Sequence, residues 1–211
     1  MSRYLIPFGV GTRACPGRYQ TQLVFRAGGT SKVRDVIEGG AEEEVDDSAP
    51  LRKYVEGSTD CVAMIDHGHF LSGGDSGSIS LWTTGKKKPI FTHPLAHGVE
   101  ITHSATEGAI RKARWITSLA VLPYGDVFAS GSWEGHIRIW ALDPNLKSFA
   151  RLFSIPAVGI VNSLQIVQKG DDDKPLVVAA LGQEPRFGRW QRIKECKNVA
   201  LVAALPISQA A

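Results

Sequence analysis

The sequence predicts an all-β fold built from repeated four-stranded antiparallel units, and three observations support that prediction. The apolar stretches are four to eight residues long, rich in Val, Ile, Leu and Phe, and alternate with polar residues, as at 79–82 and 137–140. Three segments share one pattern, in which an apolar stretch ends in Gly, a tight turn follows, and an alternating stretch closes on Trp. No long segment has the spacing of an amphipathic helix.

The repeated segments give the order of the elements. They end at Trp82, Trp140 and Trp190. Ser72 stands ten residues before the first Trp and Ser130 ten residues before the second, whereas Gly182 stands eight residues before the third. We expect one more short strand after each Trp, at 88–93, 149–153 and 198–205. Four short antiparallel strands that recur in this way form the blade of a β-propeller.

Two of the segments resemble the signature of the WD-repeat family. These are SGGDSGSISLW, which ends at Trp82, and SGSWEGHIRIW, which ends at Trp140, while the third segment resembles the signature only loosely. In that family a Ser, a Trp, a turn Asp and an upstream His form a hydrogen-bonded network. The resemblance therefore assigns structural positions to Ser72, Trp82, Ser130, Trp140 and Trp190.

The resemblance to the WD-repeat signature is weaker in the turns. Ser76 and Glu134 stand where the family has Asp, and 43 residues separate His97 from Trp140. We therefore expect the hydrogen-bonded networks of both segments to be incomplete. Their role is structural, because buried hydroxyl, indole and carboxylate groups satisfy one another's hydrogen bonds.

A closer resemblance extends over roughly residues 20–205. The motifs KKKP at 86–89, IPAVG at 155–159 and GRWQRIK at 188–194 are not needed by a generic blade, and they resemble the C-terminal part of the WD-repeat proteins of the U3 small nucleolar ribonucleoprotein. This resemblance implies a nucleolar, hence nuclear, non-enzymatic scaffold without cofactors. It also implies that the protein binds U3 RNA and other subunits during processing of the small-subunit ribosomal RNA precursor.

The chain is shorter than a closed ring of that family requires. Seven blades of roughly 40–45 residues need on the order of 300 residues, whereas 211 are present. We therefore expect a partial WD-repeat β-propeller of about three blades, with one extra strand at 22–26, from a fragment or an incomplete gene model. Open blade faces and edges predict self-association.

Residues 7–18, PFGVGTRACPGR, separately resemble the cysteine loop of the cytochrome P-450 family. That resemblance implies Cys15 as a ligand of haem iron and Arg13 as the partner of a haem propionate, so a remnant of a haem-thiolate monooxygenase is one alternative. A haem pocket also needs an enclosing apolar cavity and an oxygen-activating helix on the other face, and the remaining sequence offers no candidate for that helix. We interpret residues 1–19 as an extraneous or disordered segment that precedes the propeller at 20–211.

Two insertions interrupt the predicted propeller. Residues 38–50 hold six acidic residues with Gly, Ser and Pro, a composition typical of a disordered insertion. Residues 98–114 form the second insertion, in which we expect a short helix over 105–114.

Exposed cations are the candidate RNA-binding groups. The net charge is only +3, but Lys and Arg residues cluster in two short segments, each near a predicted strand that closes on Trp. We expect both segments to line one surface and to contact phosphates. The candidate residues are Lys86, Lys87, Lys88, Arg186, Arg189, Arg192, Lys194 and Lys197. The alternative is a generic WD-repeat adaptor that binds proteins and makes no RNA contact.

Metal and membrane sites are not indicated by the sequence. Cys15, Cys61 and Cys196 lie far apart, without a C-x-x-C pair or a His at zinc spacing, which favours free thiols and no bound metal. No run approaches the roughly 18 apolar residues that a membrane span requires.

Overall fold

A computed structural model describes residues 24–25, 30–32, 53–55, 57–104, 108–123, 125–168, 174–186 and 188–206. This part of the chain is all-β and contains no helix, and therefore no helix long and apolar enough to cross a membrane. The predicted segments 1–19 and 38–50 lie outside the described residues, as do Cys15 and Arg13. Residues 38–50 fall in sequence between β1 (Thr30–Lys32) and β2 (Lys53–Val55), which pair as a two-stranded antiparallel sheet.

Two complete four-stranded antiparallel blades follow. Blade 1 consists of β3 (Thr59–Met64), β4 (His69–Gly74), β5 (Ile79–Thr83) and β6 (Phe91–His93). Blade 2 consists of β9 (Ser118–Val121), β10 (Val127–Gly131), β11 (His136–Leu142) and β12 (Phe149–Pro156). The fourth strands predicted at 88–93 and 149–153 are confirmed as β6 and β12, the first shorter and the second longer than expected.

Blade 3 has three strands within the described residues. They are β13 (Ile160–Val167), β14 (Leu176–Gly182) and β15 (Val199–Ala204). The expectation that a third strand closes on Trp190 is wrong, because β15 pairs directly with β14 and places Leu201 opposite Ala179. Residues 198–205 therefore supply the third strand of this blade and not its fourth.

The core lies between the blades, and strand alternation divides it into two clusters. Leu119, Phe128 and Trp140 of blade 2 point into the cluster shared with blade 1. Their sequence neighbours Ala120, Ala129 and Ile139 point into the cluster shared with blade 3. Successive side chains of a strand point to opposite faces of the sheet. The alternating side chains of blade 2 therefore pack against blade 1 on one face and against blade 3 on the other. The partial propeller predicted from the sequence is confirmed.

The second insertion is a β-hairpin and not a helix. β7 (Val99–Ser104) pairs antiparallel with β8 (Gly108–Ala113), so the helix expected over 105–114 is wrong. Ala, Arg and Lys in β8 favour a helix by intrinsic propensity, but pairing with the β-branched residues of β7 outweighs that preference. The Arg114 backbone N–H donates to the Gly98 carbonyl, 3.1 Å away, and closes the base of the hairpin.

The outward faces of the first and third blades carry exposed apolar side chains. Val62 and Met64 on β3 are 59% and 57% exposed, and Val202 on β15 is 62% exposed. Phe25 covers part of the blade 1 face, with its ring centroid 5.1 Å from Phe70 and 5.9 Å from that of Trp82. Only residues 24–25 of the strand predicted at 22–26 are described, and they are not in a regular strand.

Candidate functional site

A complete buried polar network holds blade 2 together. The Trp140 Nε1–H donates to Ser130 Oγ at 2.8 Å, and His97 Nε2 lies 2.7 Å from the same hydroxyl. His97 Nδ1 lies 2.7 Å from Glu134 Oε1, and Arg138 Nη2 donates to Glu134 Oε2 at 2.6 Å. Every polar atom is satisfied if the Ser130 hydroxyl donates to Nε2 and the Nδ1–H donates to the carboxylate.

The expectation of an incomplete network is therefore wrong for blade 2. The 43-residue separation between His97 and Trp140 arises because the β7–β8 hairpin is inserted just after His97. Both ends of the hairpin meet at its base, so the insertion leaves His97 in place beside Ser130. Glu134 stands where the WD-repeat signature has the shorter Asp. Arg138, four residues further along the chain, donates a hydrogen bond to the second carboxylate oxygen of Glu134.

The electrostatics of the network favour a neutral imidazole beside an ionised carboxylate. Burial lowers the pKa of His97, whose side chain is fully buried. Burial alone would raise the pKa of Glu134, but hydrogen bonds from His97 and Arg138 outweigh it and lower that pKa to about 2. These are the desolvation and hydrogen-bonding contributions expected for a buried acid with two donors.

Blade 1 has a smaller version of this network. The Trp82 Nε1–H donates to Ser72 Oγ at 2.9 Å, and both side chains are buried. Ser76 in the following turn accepts a hydrogen bond from the Ser78 backbone N–H at 3.2 Å. Blade 3 differs, since Trp190 is 51% exposed. Its proposed structural role as the counterpart of Trp82 and Trp140 is wrong.

The two basic segments lie at opposite ends of the blades, so the expectation of one common surface is wrong. The strands of a blade alternate in direction, and turns that follow the second and third strands therefore emerge at opposite ends. We call the end that carries residues 75–78, 132–135 and 183–198 the top face. The turn 84–90, with Lys86, Lys87 and Lys88, follows β5 and lies on the bottom face. The segment 183–198 precedes β15 instead of following it.

The remaining candidate cations project from the top-face loop 183–198. They are Arg186, Arg189, Arg192, Lys194 and Lys197, and all five are exposed, as are the three bottom-face lysines. Arg189 and Arg192 both approach the Glu184 carboxylate, with Nε–O distances of 3.3 Å and 3.9 Å. One carboxylate shared by two guanidinium groups leaves a net positive charge at this point of the surface.

Two polar side chains that sequence reasoning missed shape this loop. Asn162 Nδ2 donates to the Glu184 carbonyl at 3.0 Å, and Asn162 Oδ1 accepts from the Arg186 backbone N–H at 2.8 Å. Gln183 Nε2 donates to the Cys196 carbonyl at 2.7 Å, which ties the two ends of the loop together. These bonds satisfy backbone groups that have no ladder partner, so the loop has a defined path that presents its cations.

Three tryptophans from separate segments meet on the top face. The ring centroid of Trp115, in the connection from the hairpin to β9, lies 6.2 Å from that of Trp133 in turn 132–135. The Trp115 centroid also lies 5.2 Å from that of Trp190 in loop 183–198. No cluster of His, Cys, Asp and Glu within the described ranges could hold a metal ion.

Comparisons with known proteins agree with this architecture. The family model of the WD domain, G-beta repeat, matches residues 107–141. An uncharacterized WD repeat-containing protein of Schizosaccharomyces pombe is 40% identical over 204 residues, covering 90% of this chain and 36% of the relative. Ribosomal RNA-processing protein 9 of Saccharomyces cerevisiae is 36% identical over 81% of this chain and 35% of its own length.

Two further comparisons show similarity to a human protein and to a solved structure. U3 small nucleolar RNA-interacting protein 2 of Homo sapiens is 37% identical over 71% of this chain and 30% of its own length. The solved structure of U3-55K aligns with a TM-score of 0.63 at 35% identity, covering 74% of this chain and 46% of the solved one. The chain thus spans about a third of the length of the curated relatives it matches. Its described part has the fold of a partial WD-repeat β-propeller, and the chain is similar in sequence and in fold to proteins named as U3-associated.

Proposed function

We propose that the chain is part of a non-enzymatic WD-repeat scaffold of the U3 small nucleolar ribonucleoprotein. In this proposal it binds U3 RNA and partner subunits in the nucleolus, during processing of the small-subunit ribosomal RNA precursor. The printed names of similar proteins, a ribosomal RNA-processing protein and a U3 small nucleolar RNA-interacting protein, support this assignment.

The observation that carries RNA binding is the exposed, basic top-face loop. Five cations within twelve residues extend from a loop that Asn162 and Gln183 hold in a defined path. Phosphate contacts by Lys and Arg supply most of the sequence-independent affinity for nucleic acid. The lysines of turn 84–90 lie on the bottom face and form a second, separate RNA contact. The top-face loop and these lysines therefore bind different parts of the RNA.

The test is the salt dependence of U3 RNA binding. Reversing Arg189, Arg192 and Lys194 to Glu removes up to three phosphate contacts, and each contact contributes a slope of roughly 0.7–0.9 in log affinity against log salt. We expect weaker binding and a slope smaller by roughly 2–3. The matched variant reverses Lys86, Lys87 and Lys88, and its effect should add to the first because the two sites are far apart.

The same measurement distinguishes RNA binding from the alternative function, a WD-repeat adaptor that binds only proteins. If both sets of reversals leave affinity and salt slope unchanged in folded protein, the cations only solvate the surface. A WD-repeat adaptor that binds proteins and no RNA would then be the better account. Circular dichroism of each variant establishes that the propeller segment is still folded.

A further inference from the structure

The top face carries an aromatic cluster that the blades do not need for their cores. Trp82 and Trp140 are 1% and 0% exposed and fill the spaces between blades, whereas Trp190 is 51% exposed. Trp115, Trp133 and Trp190 come from a connection, a turn and a loop, and the Trp115 ring packs against the other two. Exposed tryptophan is typical of interaction surfaces, because the indole offers a large rigid apolar face at low entropic cost.

Trp190 is held in place on one side and open on the other. Its ring packs on Trp115 with an angle of 43° between the two planes. Gly188 lies directly against the same indole, so that a Cβ atom at Gly188 would collide with ring carbons of Trp190. About half of the side chain remains accessible. The indole is therefore oriented before any partner arrives, which reduces the entropic cost of a stacking contact.

Positive charge borders this cluster on the side of loop 183–198, and an acid–base pair lies on the other side. On one side stand Arg189 and Arg192, whose side chains are 88% and 60% exposed and share the single Glu184 carboxylate. On the other side Glu100 accepts a hydrogen bond from Trp133 Nε1 at 3.1 Å, and Lys112 is directly opposite Glu100 in the β7–β8 ladder. Directly opposed residues point to the same face of a ladder, so the exposed Lys112 side chain shares a face with Glu100 and offsets its charge.

An aromatic face beside exposed cations matches single-stranded RNA better than it matches a duplex. Bases of a duplex are stacked inside the helix, whereas an unpaired base can lie on an aromatic ring while its flanking phosphates meet Lys or Arg. We propose that Trp190, supported by Trp115, stacks on an unpaired base of the bound RNA, with Arg189 and Arg192 taking the neighbouring phosphates. The inference rests on the proposed RNA-binding function and adds the kind of RNA element recognised there.

The experiment compares a single-stranded RNA of 12 uridines with a 12-base-pair RNA duplex by fluorescence anisotropy. Base–aromatic stacking removed by alanine corresponds to a loss of roughly 5- to 150-fold per base. We expect Trp190→Ala to weaken single-strand binding within that range, with little change in duplex binding and in salt slope. Trp190→Phe should bind within about threefold of the original chain. Gly188→Ala, which keeps the indole but displaces it, should fall between the two.

The outcomes separate this inference from the proposed function. If Trp190→Ala binds the single strand normally while the Arg189, Arg192 and Lys194 reversals weaken it, phosphate binding stands and stacking is wrong. Equal losses for single strand and duplex would mean that Trp190 only shapes the loop, which also overturns the inference. A Trp190→Ala variant that loses a protein partner but binds RNA normally would identify the cluster as a protein-docking surface and refute stacking.

Discussion

Replacing Glu134 with Ala should destabilise blade 2 strongly, because this carboxylate is the only acid that the buried network uses. The Glu134 side chain is 9% exposed, that of His97 is 0% exposed and that of Arg138 is 20% exposed. Arg138 can regain water after the substitution, but His97 loses the acceptor for its Nδ1–H inside the core. Hydrogen bonds to charged groups contribute about 1.5–3 kcal/mol each. We expect the free energy of unfolding to fall by about 3 kcal/mol.

The pKa of Glu134, which the same hydrogen bonds lower, corresponds to a similar magnitude. It falls from 4.5 to about 2 on folding, and one pKa unit corresponds to about 1.4 kcal/mol, so the linked stabilisation is about 3 kcal/mol. Since the folded-state pKa lies below the unfolded one, this contribution is present above pH 4.5 and is lost as the pH falls toward 2. The difference between the original chain and Glu134→Ala should shrink over that window.

The assay is urea unfolding at pH 7, followed by tryptophan fluorescence, with thermal unfolding as a second measure. For a chain of this size the expected loss corresponds to a fall of roughly 6–12 °C in Tm. Glu184→Ala is the matched control, because Glu184 pairs with an Arg189 side chain that is 88% exposed and should change stability by less than about 0.5 kcal/mol. Equal stability of the original chain and Glu134→Ala would refute the network as a stabilising element.

Two further predictions concern backbone contact and assembly. Gly131→Ala should destabilise the chain by at least about 1 kcal/mol in urea unfolding, because the added Cβ would lie 2.5 Å from Ser118 Oγ and from a Val161 methyl carbon. The comparison variant is Gly135→Ala, which has open space around it and only the strain of its φ of +92°; a larger loss there would contradict this ranking. The isolated chain should also self-associate through the exposed apolar faces that carry Val62, Met64 and Val202. Light scattering that gives a compact monomer at all concentrations would contradict self-association.

The sequence predicted the parts of the fold that depend on local pattern. The Ser-Gly pair on the second strand and the closing Trp on the third strand of blades 1 and 2 lie within one hairpin, so their spacing is visible in a single short segment. Hydrogen bonds from Trp82 to Ser72 and from Trp140 to Ser130 confirm that part of the pattern. The alternation at 137–140 likewise predicted a half-buried strand, and in β11 Ile137 and Ile139 are buried whereas Arg138 between them is partly exposed.

The parts that sequence reasoning missed depend on contacts between distant segments. His97 joins Ser130 only because the inserted hairpin starts and ends at one point, which residue spacing hides. Trp190 follows a Gly at almost the expected distance, yet its segment is a loop because β15 pairs with β14 instead. This pairing also places the two basic segments at opposite ends of the blades. Loop 183–198 precedes the third strand of blade 3, whereas turn 84–90 follows the third strand of blade 1.

The tryptophan cluster was also beyond sequence reasoning. Trp115, Trp133 and Trp190 lie in three separate segments of the chain, and their meeting depends on how the blades pack, which residue spacing does not show. An available signal was that Trp115 and Trp133 stand outside the alternating strands, in a connection and a turn. Tryptophan at such positions is seldom required by a blade core.

Recovery of U3 RNA with the protein from cells tests the central claim most directly. The tagged chain is isolated from cells, and the amount of U3 RNA is measured relative to another small nucleolar RNA of similar length. The account predicts enrichment of U3 RNA with the original chain and loss of that enrichment when Arg189, Arg192 and Lys194 are reversed to Glu. Equal recovery of both RNAs, or U3 enrichment that the folded reversed variant retains in full, would contradict it.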